Sequence, residues 1–382
     1  MPAFSGIVLD MTTAVWLRSC AISLLLAGCN GDLELPPVVA SSEYLAYHTD
    51  ADSSVICMDD FLMRQDRFME RTALLLGVEA PSRMIDFMWD PVPDRSDPWA
   101  CPPDRDGCYQ HRAEDELEVV VSPRLANHHE LVHAVEVQAL GSGHQTLEEG
   151  LAEYLGTSYT PSFAPDEFPG AFKAMLARSP NPSDYGLAMH FVGSIFARHG
   201  AGKYRELRAK MPKTAGLQEF AELFEAEYGQ RLDDALVEMS NEKVYSIDML
   251  FGCGEGEANE LTWTSEGLID TTIESSCGDP WFYGGGFTDG QAGFYGLYAV
   301  DVLEAGYYDL TVTGTADGPV PLRAFVTGCS FALLESAVAS FSGQTGRGLL
   351  QAGQHTLAIA FPERPQAGGK AALRLEYIAP PP

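Results

Sequence analysis

His129-Glu130-Leu131-Val132-His133 sets two imidazoles four residues apart with a carboxylate between them. Positions i and i+4 of a helix share a face, so both rings can aim at one point. Neutral imidazole nitrogens are good ligands for a tetrahedral zinc ion. Glu130 is rotated by about 100° from His129 around the helix axis, which sets its carboxylate beside the open position of the metal and not on the metal. There it can take a proton from zinc-bound water, whose pKa the ion lowers to about 7. The pattern predicts metal-assisted peptide hydrolysis, with His129 and His133 as zinc ligands and Glu130 as general base. A pair of structural histidines is the bland alternative.

A helix must carry these residues, and the surroundings supply one. Leu131, Val132, Ala134 and Val135 interleave with the polar positions, as on a helix half buried in a core. Pro123 upstream and Gly141 downstream leave it room to begin and stop. A third protein ligand is also required. One known arrangement has Gly at the third residue after the second His and a further His three residues beyond. Those positions hold Glu136 and Ala139, which excludes it. The other takes a Glu from a second helix, and Glu149 in Glu149-Gly-Leu-Ala-Glu-Tyr154 fits, with Glu148, Glu153 and His144 as alternatives. Thr146, three residues before Glu149, also reads as a capping box that opens the run Leu147, Leu151, Leu155.

The His129–His133 motif with Glu149-Gly-Leu-Ala-Glu-Tyr154 resembles the gluzincin zinc metallopeptidases, the thermolysin- and aminopeptidase-like clan. The run from Tyr185 through Gly-Leu-Ala-Met-His190-Phe to Gly200 resembles the helix that follows in peptidase-MA-like members. The likeness covers roughly residues 120 to 240. It implies a zincin-like domain, zinc held by His129, His133 and Glu149, and Glu130 as base. It also implies a Tyr or His from a downstream helix that stabilises the oxyanion of the tetrahedral intermediate; Tyr185 is the candidate and His190 the second choice. In that family a sheet edge beside the metal helix holds substrate backbone in extended form. The sequence does not mark which strand is that edge.

The expected fold is α+β in two parts. Residues 43–249 read as the zincin-like domain: a strand at Glu43–His48 and a helix at roughly Met58 to Leu76, with Phe61, Leu62, Phe68, Leu74 and Leu75 as its apolar side and Gly77 as its stop. Strands follow at Arg83–Trp89 and Leu117–Val121, with a long polar loop rich in Pro and Asp between them. The pattern then stays helical to about Met249, including Gln218 to Met239. Residues 250–382 are dense in Gly, with short alternating strands at Tyr295–Val302, Tyr308–Val312, Leu322–Val326, His355–Ala360 and Ala372–Tyr377, the signature of a β-sandwich. Ala305-Gly-Tyr-Tyr-Asp-Leu-Thr-Val and Ala352-Gly-Gln-His-Thr-Leu-Ala-Ile resemble turns of sandwich modules appended to secreted peptidases, which implies an accessory role. Asp289-Gly and Asp317-Gly read as turns, with calcium as the sharper alternative.

The 382 residues are 46% hydrophobic and carry a formal charge of -30, which argues against nucleic acid and anionic membrane surfaces as electrostatic partners. Residues 1–28 read as a signal peptide. Arg18 precedes an apolar run too short to span a bilayer, and Leu26-Ala-Gly-Cys29 resembles a bacterial lipobox. Asp10 and the lack of basic residues before it make Met11 the expected start. Acylation of Cys29 would anchor the protein to a membrane in the cell envelope, with residues 29–42 as a tether rich in Pro and Ser. An ordinary secretory signal is the alternative. Cys57, Cys101, Cys108, Cys253, Cys277 and Cys329 suit an oxidising compartment. Cys101–Cys108 and Cys253–Cys277 are the local pairings, which leaves Cys57 and Cys329 bridged or free. The expected partner is a peptide or protein substrate, and no motif specifies an oligomeric state. The competing reading is a surface lipoprotein that binds a partner through its sandwich, with a zinc domain that is inactive or hydrolyses a non-peptide substrate.

Overall fold

The structure is a computed structural model, in which residues 35–91, 99–102, 105, 107–112, 117–157, 163–178, 180–246, 253, 259–264, 267–279, 282–284, 294–314, 322–329, 336–361 and 368–381 are described. The signal segment, Cys29, Asp289 and Asp317 lie outside them. Among the described residues no helix is long and apolar enough to cross a membrane.

The first half is a mixed sheet with helices. Strands β1 (Val38–Ser41), β2 (Leu45–His48), β3 (Ile85–Trp89), β4 (Cys108–Arg112) and β5 (Leu117–Ser122) form one sheet in the order β1-β2-β3-β5-β4. β2, β3 and β5 run parallel, and the flanking β1 and β4 pair antiparallel. Helix α1 (Met58–Leu76) joins β2 to β3 and stops at Gly77, whose φ of 66° is the left-handed cap that glycine adopts without a Cβ penalty. Leu45, Tyr47, Ile85, Phe87 and Val120 of the sheet share one core with Phe61 and Phe68 of α1.

Four sequence expectations change here. Val38–Ser41 pairs as a strand inside the stretch assigned to the tether. Cys108–Arg112 is an edge strand inside the stretch assigned to a loop; Cys-Tyr-Gln-His-Arg has little apolar alternation to betray it. The apolar side of α1 includes Ala73 and Leu76, whereas Leu74 is 78% exposed and Leu75 38%. The helical pattern ends at Met239, short of Met249, and no helix covers 240–246.

Helices α2 (His128–Leu140), α3 (Gln145–Gly156), α4 (Phe168–Leu176), α5 (Tyr185–Lys210), α6 (Leu217–Tyr228) and α7 (Leu232–Met239) follow β5. α5 breaks its helical geometry at Gly200, where φ is 75° and ψ 169°. A left-handed Gly229 separates α6 from α7 within the predicted Gln218–Met239 helix. Phe168, Phe172, Phe191, Phe220 and Phe224 are fully buried between these helices. Each such side chain contributes about 1.5–3 kcal/mol through burial.

The second half is a sandwich of two antiparallel sheets. β6 (Leu268–Ser275), β9 (Gly306–Gly314), β12 (Thr345–Leu350) and β14 (Gly369–Ala379) are ordered β12-β9-β14-β6. β7 (Phe282–Gly284), β8 (Phe294–Val302), β10 (Arg323–Gly328), β11 (Ala337–Phe341) and β13 (Gly353–Phe361) are ordered β11-β10-β13-β8-β7. The five strands expected from alternation are β8, β9, β10, β13 and β14, whose Val300, Leu310, Val326, Leu357 and Leu375 meet in a second core.

One of three disulfides ties the halves. Cys101–Cys108 forms as expected, with Cα atoms 5.6 Å apart. The Cys253–Cys277 pairing does not form: Cys277 bridges Cys57 and Cys253 bridges Cys329. Cys57 caps α1, so one bridge fixes the sandwich to that helix, and Asp60 accepts a hydrogen bond from the Gly278 N–H at 2.7 Å beside it. Three disulfides are what an extracytoplasmic compartment allows.

Candidate metal centre

β5 leads through Asn127 into α2. Asn127 is the N-cap, its side chain accepting the Glu130 N–H at 3.4 Å, so the helix begins one residue before His129. Leu131, Val132, Ala134 and Val135 are buried, and Gly141 closes the helix at φ 70°. Farther along, Glu136 is fully buried and pairs with Arg208 and the Tyr204 hydroxyl of α5. His128, next to the motif, stacks on Phe68 with centroids 3.9 Å apart.

α3 supplies the partner carboxylates. Its N-cap is His144, whose ring Nδ1 accepts from Thr146 N at 3.3 Å, so the Thr146 capping box is not used and Glu149 lies inside the helix. Glu149 and Glu153 are four residues apart and both face His129: Glu149 Oε2 is 3.2 Å from Nε2, and Glu153 Oε1 is 3.2 Å from Nδ1. Glu148 points elsewhere, to Arg208 at 3.1 Å, and His144 Nε2 pairs with Ala215 O at 3.1 Å. The two candidates that the site does not use are thereby accounted for.

The donor set fits a tetrahedral ion. His129 Nε2 lies 3.2 Å from His133 Nε2 and 3.2 Å from Glu149 Oε2, and His133 Nε2 lies 3.5 Å from Glu149 Oε2. Ligand bonds of about 2.0–2.1 Å at tetrahedral angles space ligand atoms about 3.3–3.4 Å apart. The three atoms therefore outline one face of such a tetrahedron. His129, Glu130 and His133 also form a group whose potential ligand atoms lie within 4.8 Å of one another. That looser bound places Glu130 next to the centre, while the tighter triangle belongs to Glu149.

Electrostatics follow from this crowding. Burial opposes charge on His129, but hydrogen bonds to Glu149 and Glu153 overcome it and raise its pKa to about 10. Burial likewise opposes charge on His133, and Glu149 raises its pKa. Glu149 would be driven up by burial, yet hydrogen bonds to His129 and His133 hold it well below the usual carboxylate range. The cluster is a buried set of bases drawing in positive charge.

A cavity of about 250 Å³ opens on the centre, lined by Arg105, Gly107, Arg124, Asn127, His129, Glu130, Glu153, Thr157, Pro182 and Tyr185. Tyr185, first residue of α5, stacks on the His129 ring at 5.8 Å and 14°. It is 8% exposed, and its hydroxyl makes no well-formed hydrogen bond among the described residues, with Glu149 its nearest polar influence. Burial first, then the negative charge of Glu149, raises its pKa, so it stays a protonated donor. Asp184, held by Arg178 at 2.6 Å, precedes it and anchors the helix start. α5 reaches this close because Gly150 of α3 has no side chain: a Cβ there would meet Ala188 O at 2.5 Å. His190, the second choice for the same role, is buried away from the cavity, where its Nε2 meets Met239 O at 2.8 Å and its ring packs on Phe163 and Phe168.

Arg105 and Gly107 were not anticipated. The Arg105 Nη1 lies 3.4 Å from Glu149 Oε1. Gly107 sits where a Cβ would strike the Asn127 side chain and come within 3.4 Å of Glu130 Cγ. The signal available was the Cys101–Cys108 pair that brackets both. Asn127 was legible as a cap directly before two His residues.

No family model and no curated protein matches the chain. Among solved structures, a Podospora anserina GH26-CBM35 beta-(1,4)-mannanase is similar at 20% identity and TM-score 0.16, over 31% of this chain and 28% of that one. The carbohydrate-binding module CBM6cm-2 of Cellvibrio mixtus lichenase 5A, solved with cellotriose, is 16% identical at TM-score 0.17, over 32% of this chain and 95% of the module. A carbohydrate-binding module CBM36, solved with calcium and xylotriose, is 9% identical at TM-score 0.15, over 28% and 99%. Similarity at these TM-scores carries no inference about this chain, whose function must come from its own residues.

Proposed function

We propose that the protein is a zinc-dependent peptidase of the gluzincin type, working outside the cytoplasm, with His129, His133 and Glu149 holding the ion. The observation that carries this reading is the convergence of the two Nε2 atoms and Glu149 Oε2 at tetrahedral spacing, with Glu130 in the cavity beside them. When bound, zinc polarises a carbonyl and makes water more acidic.

The protein's own groups do the rest. Glu130, 7% exposed, accepts a proton from the attacking water and later delivers it to the leaving amine. Glu153 accepts the Nδ1 proton of His129 and so turns Nε2 toward the centre as a lone-pair donor. The Tyr185 hydroxyl is a buried donor for the oxygen that gains charge as water adds. β4, the outermost strand beside α2, offers a backbone edge on which an extended peptide can lie. Acylation at Cys29 would hold the enzyme at a membrane.

The deciding experiment is metal analysis of the purified protein together with hydrolysis of a mixed peptide library. One zinc per chain and cleavage abolished by a chelator are expected. A protein free of zinc, or one that holds zinc and cleaves no peptide, ends this reading.

A further inference from the structure

We infer that Arg105 is a catalytic residue of this site, a second donor that acts with Tyr185 on the oxyanion of the tetrahedral intermediate. The inference rests on the peptidase reading above and names a group that the metal motif does not contain.

The first observation is placement. The guanidinium lies against the outer oxygen of Glu149 at 3.4 Å, while the inner oxygen of that carboxylate faces the imidazoles. Arg105 is thus one carboxylate away from the metal position, and it lines the same cavity as Glu130 and Tyr185. Its one side-chain hydrogen bond among the described residues is the one to Glu149. A guanidinium has five N–H donors in a planar fork, so a single contact leaves donors for a ligand in the cavity.

The second is the fixing of Arg105. Cys101 and Cys108 close the loop that carries it, and the Arg105 N–H donates to Pro102 O at 3.0 Å within that loop. At its end Gly107 packs on Asn127, Val121 O and the Glu130 side chain so closely that no Cβ fits. Gly107 is therefore seated on the N-terminus of the metal helix, and Arg105, two residues before it, contacts Glu149. Donors held in place before charge develops are what lowers the barrier.

The third is charge. The chain has 24 basic against 54 acidic residues, yet Arg105 is set, two-thirds buried, among Glu149, Glu130 and Tyr185. A cation there offsets the carboxylates that would otherwise repel a growing negative charge. As the water oxygen bonds to the carbonyl carbon, the carbonyl π pair moves onto its oxygen and the water proton passes to Glu130. When the C–N bond breaks, that pair re-forms the carbonyl and the nitrogen takes the proton from Glu130. Arg105 and Tyr185 donate hydrogen bonds to the oxygen between those two events.

The test uses full-length protein carrying Arg105→Ala and Arg105→Lys. For the Ala variant, kcat should fall by about 10²–10³-fold, the scale of one lost oxyanion donor, with KM within about threefold and zinc content unchanged. Lys should recover part of the loss, and added guanidinium ion should partly rescue the Ala variant. A phosphonate analogue of the best library peptide, tetrahedral and anionic, should lose affinity by calorimetry in parallel with kcat, while the unmodified product peptides bind as before. Loss of zinc from the Ala variant would make Arg105 a positioning residue for Glu149 and overturn the inference. A raised KM with kcat intact would make it a ground-state contact and overturn it as well. Wild-type protein that cleaves peptides while Arg105→Ala keeps its kcat overturns the inference alone. Wild-type protein that cleaves nothing overturns it together with the peptidase reading.

Discussion

Glu153 lies 3.2 Å from Nδ1 of His129, on the side of the ring opposite the converging ligand atoms. A carboxylate behind a histidine fixes which nitrogen carries the proton and makes the other a better ligand. Glu153→Gln keeps the shape and removes the charge. Its zinc affinity, measured by competition with a chromogenic chelator, should fall about 10–100-fold, with circular dichroism unchanged. Undiminished affinity would reduce Glu153 to a packing residue.

Glu130 and Glu149 should separate chemistry from metal binding. Glu130→Gln removes the proton acceptor and leaves the three ligands, so zinc stays while hydrolysis drops about a hundredfold or more. Glu149→Gln puts a poorer ligand at the centre and should lose metal and activity together. Zinc lost from Glu130→Gln would show that the ligand shell is wrongly assigned.

The Cys101–Cys108 bridge should matter to turnover more than to folding. It joins residues only seven apart in the chain, one of them on the edge strand β4. A Cys101→Ser, Cys108→Ser double variant should keep its zinc and its far-ultraviolet spectrum. Its kcat should drop by about tenfold or more as Arg105 and Gly107 lose their seat, since misplacement by about 1 Å can cost a hundredfold. Full activity in that variant would show that packing of Gly107 alone holds the loop.

Gly150 allows α3 and α5 to touch. Gly150→Ala would press a methyl on Ala188 O and Val192, so one helix must shift. Overpacking of this kind costs about 1–3 kcal/mol, read by urea denaturation. The same shift should move Tyr185 and lower kcat. A variant as stable and as active as wild type would contradict the contact.

Cys29 sets location. Expressed from its natural start in a bacterial host, the protein should fractionate with membranes, and Cys29→Ser should release it into the soluble fraction. Wild-type protein found wholly soluble with an intact thiol at Cys29 would exclude the anchor.

The local features of the site and scaffold could be read from the chain because their physics is local. The i, i+4 pair His129 and His133, the stop at Gly141, the span Met58–Leu76, the nearby pair Cys101–Cys108 and five alternating sandwich strands each depend on a few neighbouring residues. Periodicity names a face: Leu131, Val132, Ala134 and Val135 of α2 are buried as expected, and so are Phe61, Leu62 and Phe68 of α1. Leu74 and Leu75 of α1 were misassigned because an apolar residue need not be buried, while Ala73 and Leu76 fill the core.

What a face meets is not local. Glu149 was the expected third ligand with Glu148, Glu153 and His144 as alternatives, and docking of α3 against α2 sent Glu149 and Glu153 to His129 but Glu148 to Arg208. The start of α5 put Tyr185 over His129, and a turn later the same helix buried His190 against Phe168. β4 escaped notice because an edge strand can keep a polar sequence and still pair through its backbone. Cys57 found Cys277 across 220 residues, a choice set by where the sandwich packs and invisible to spacing. Arg105 and Gly107 reach the centre by the same kind of closure, in which chain distance and spatial distance are unrelated until the core has formed.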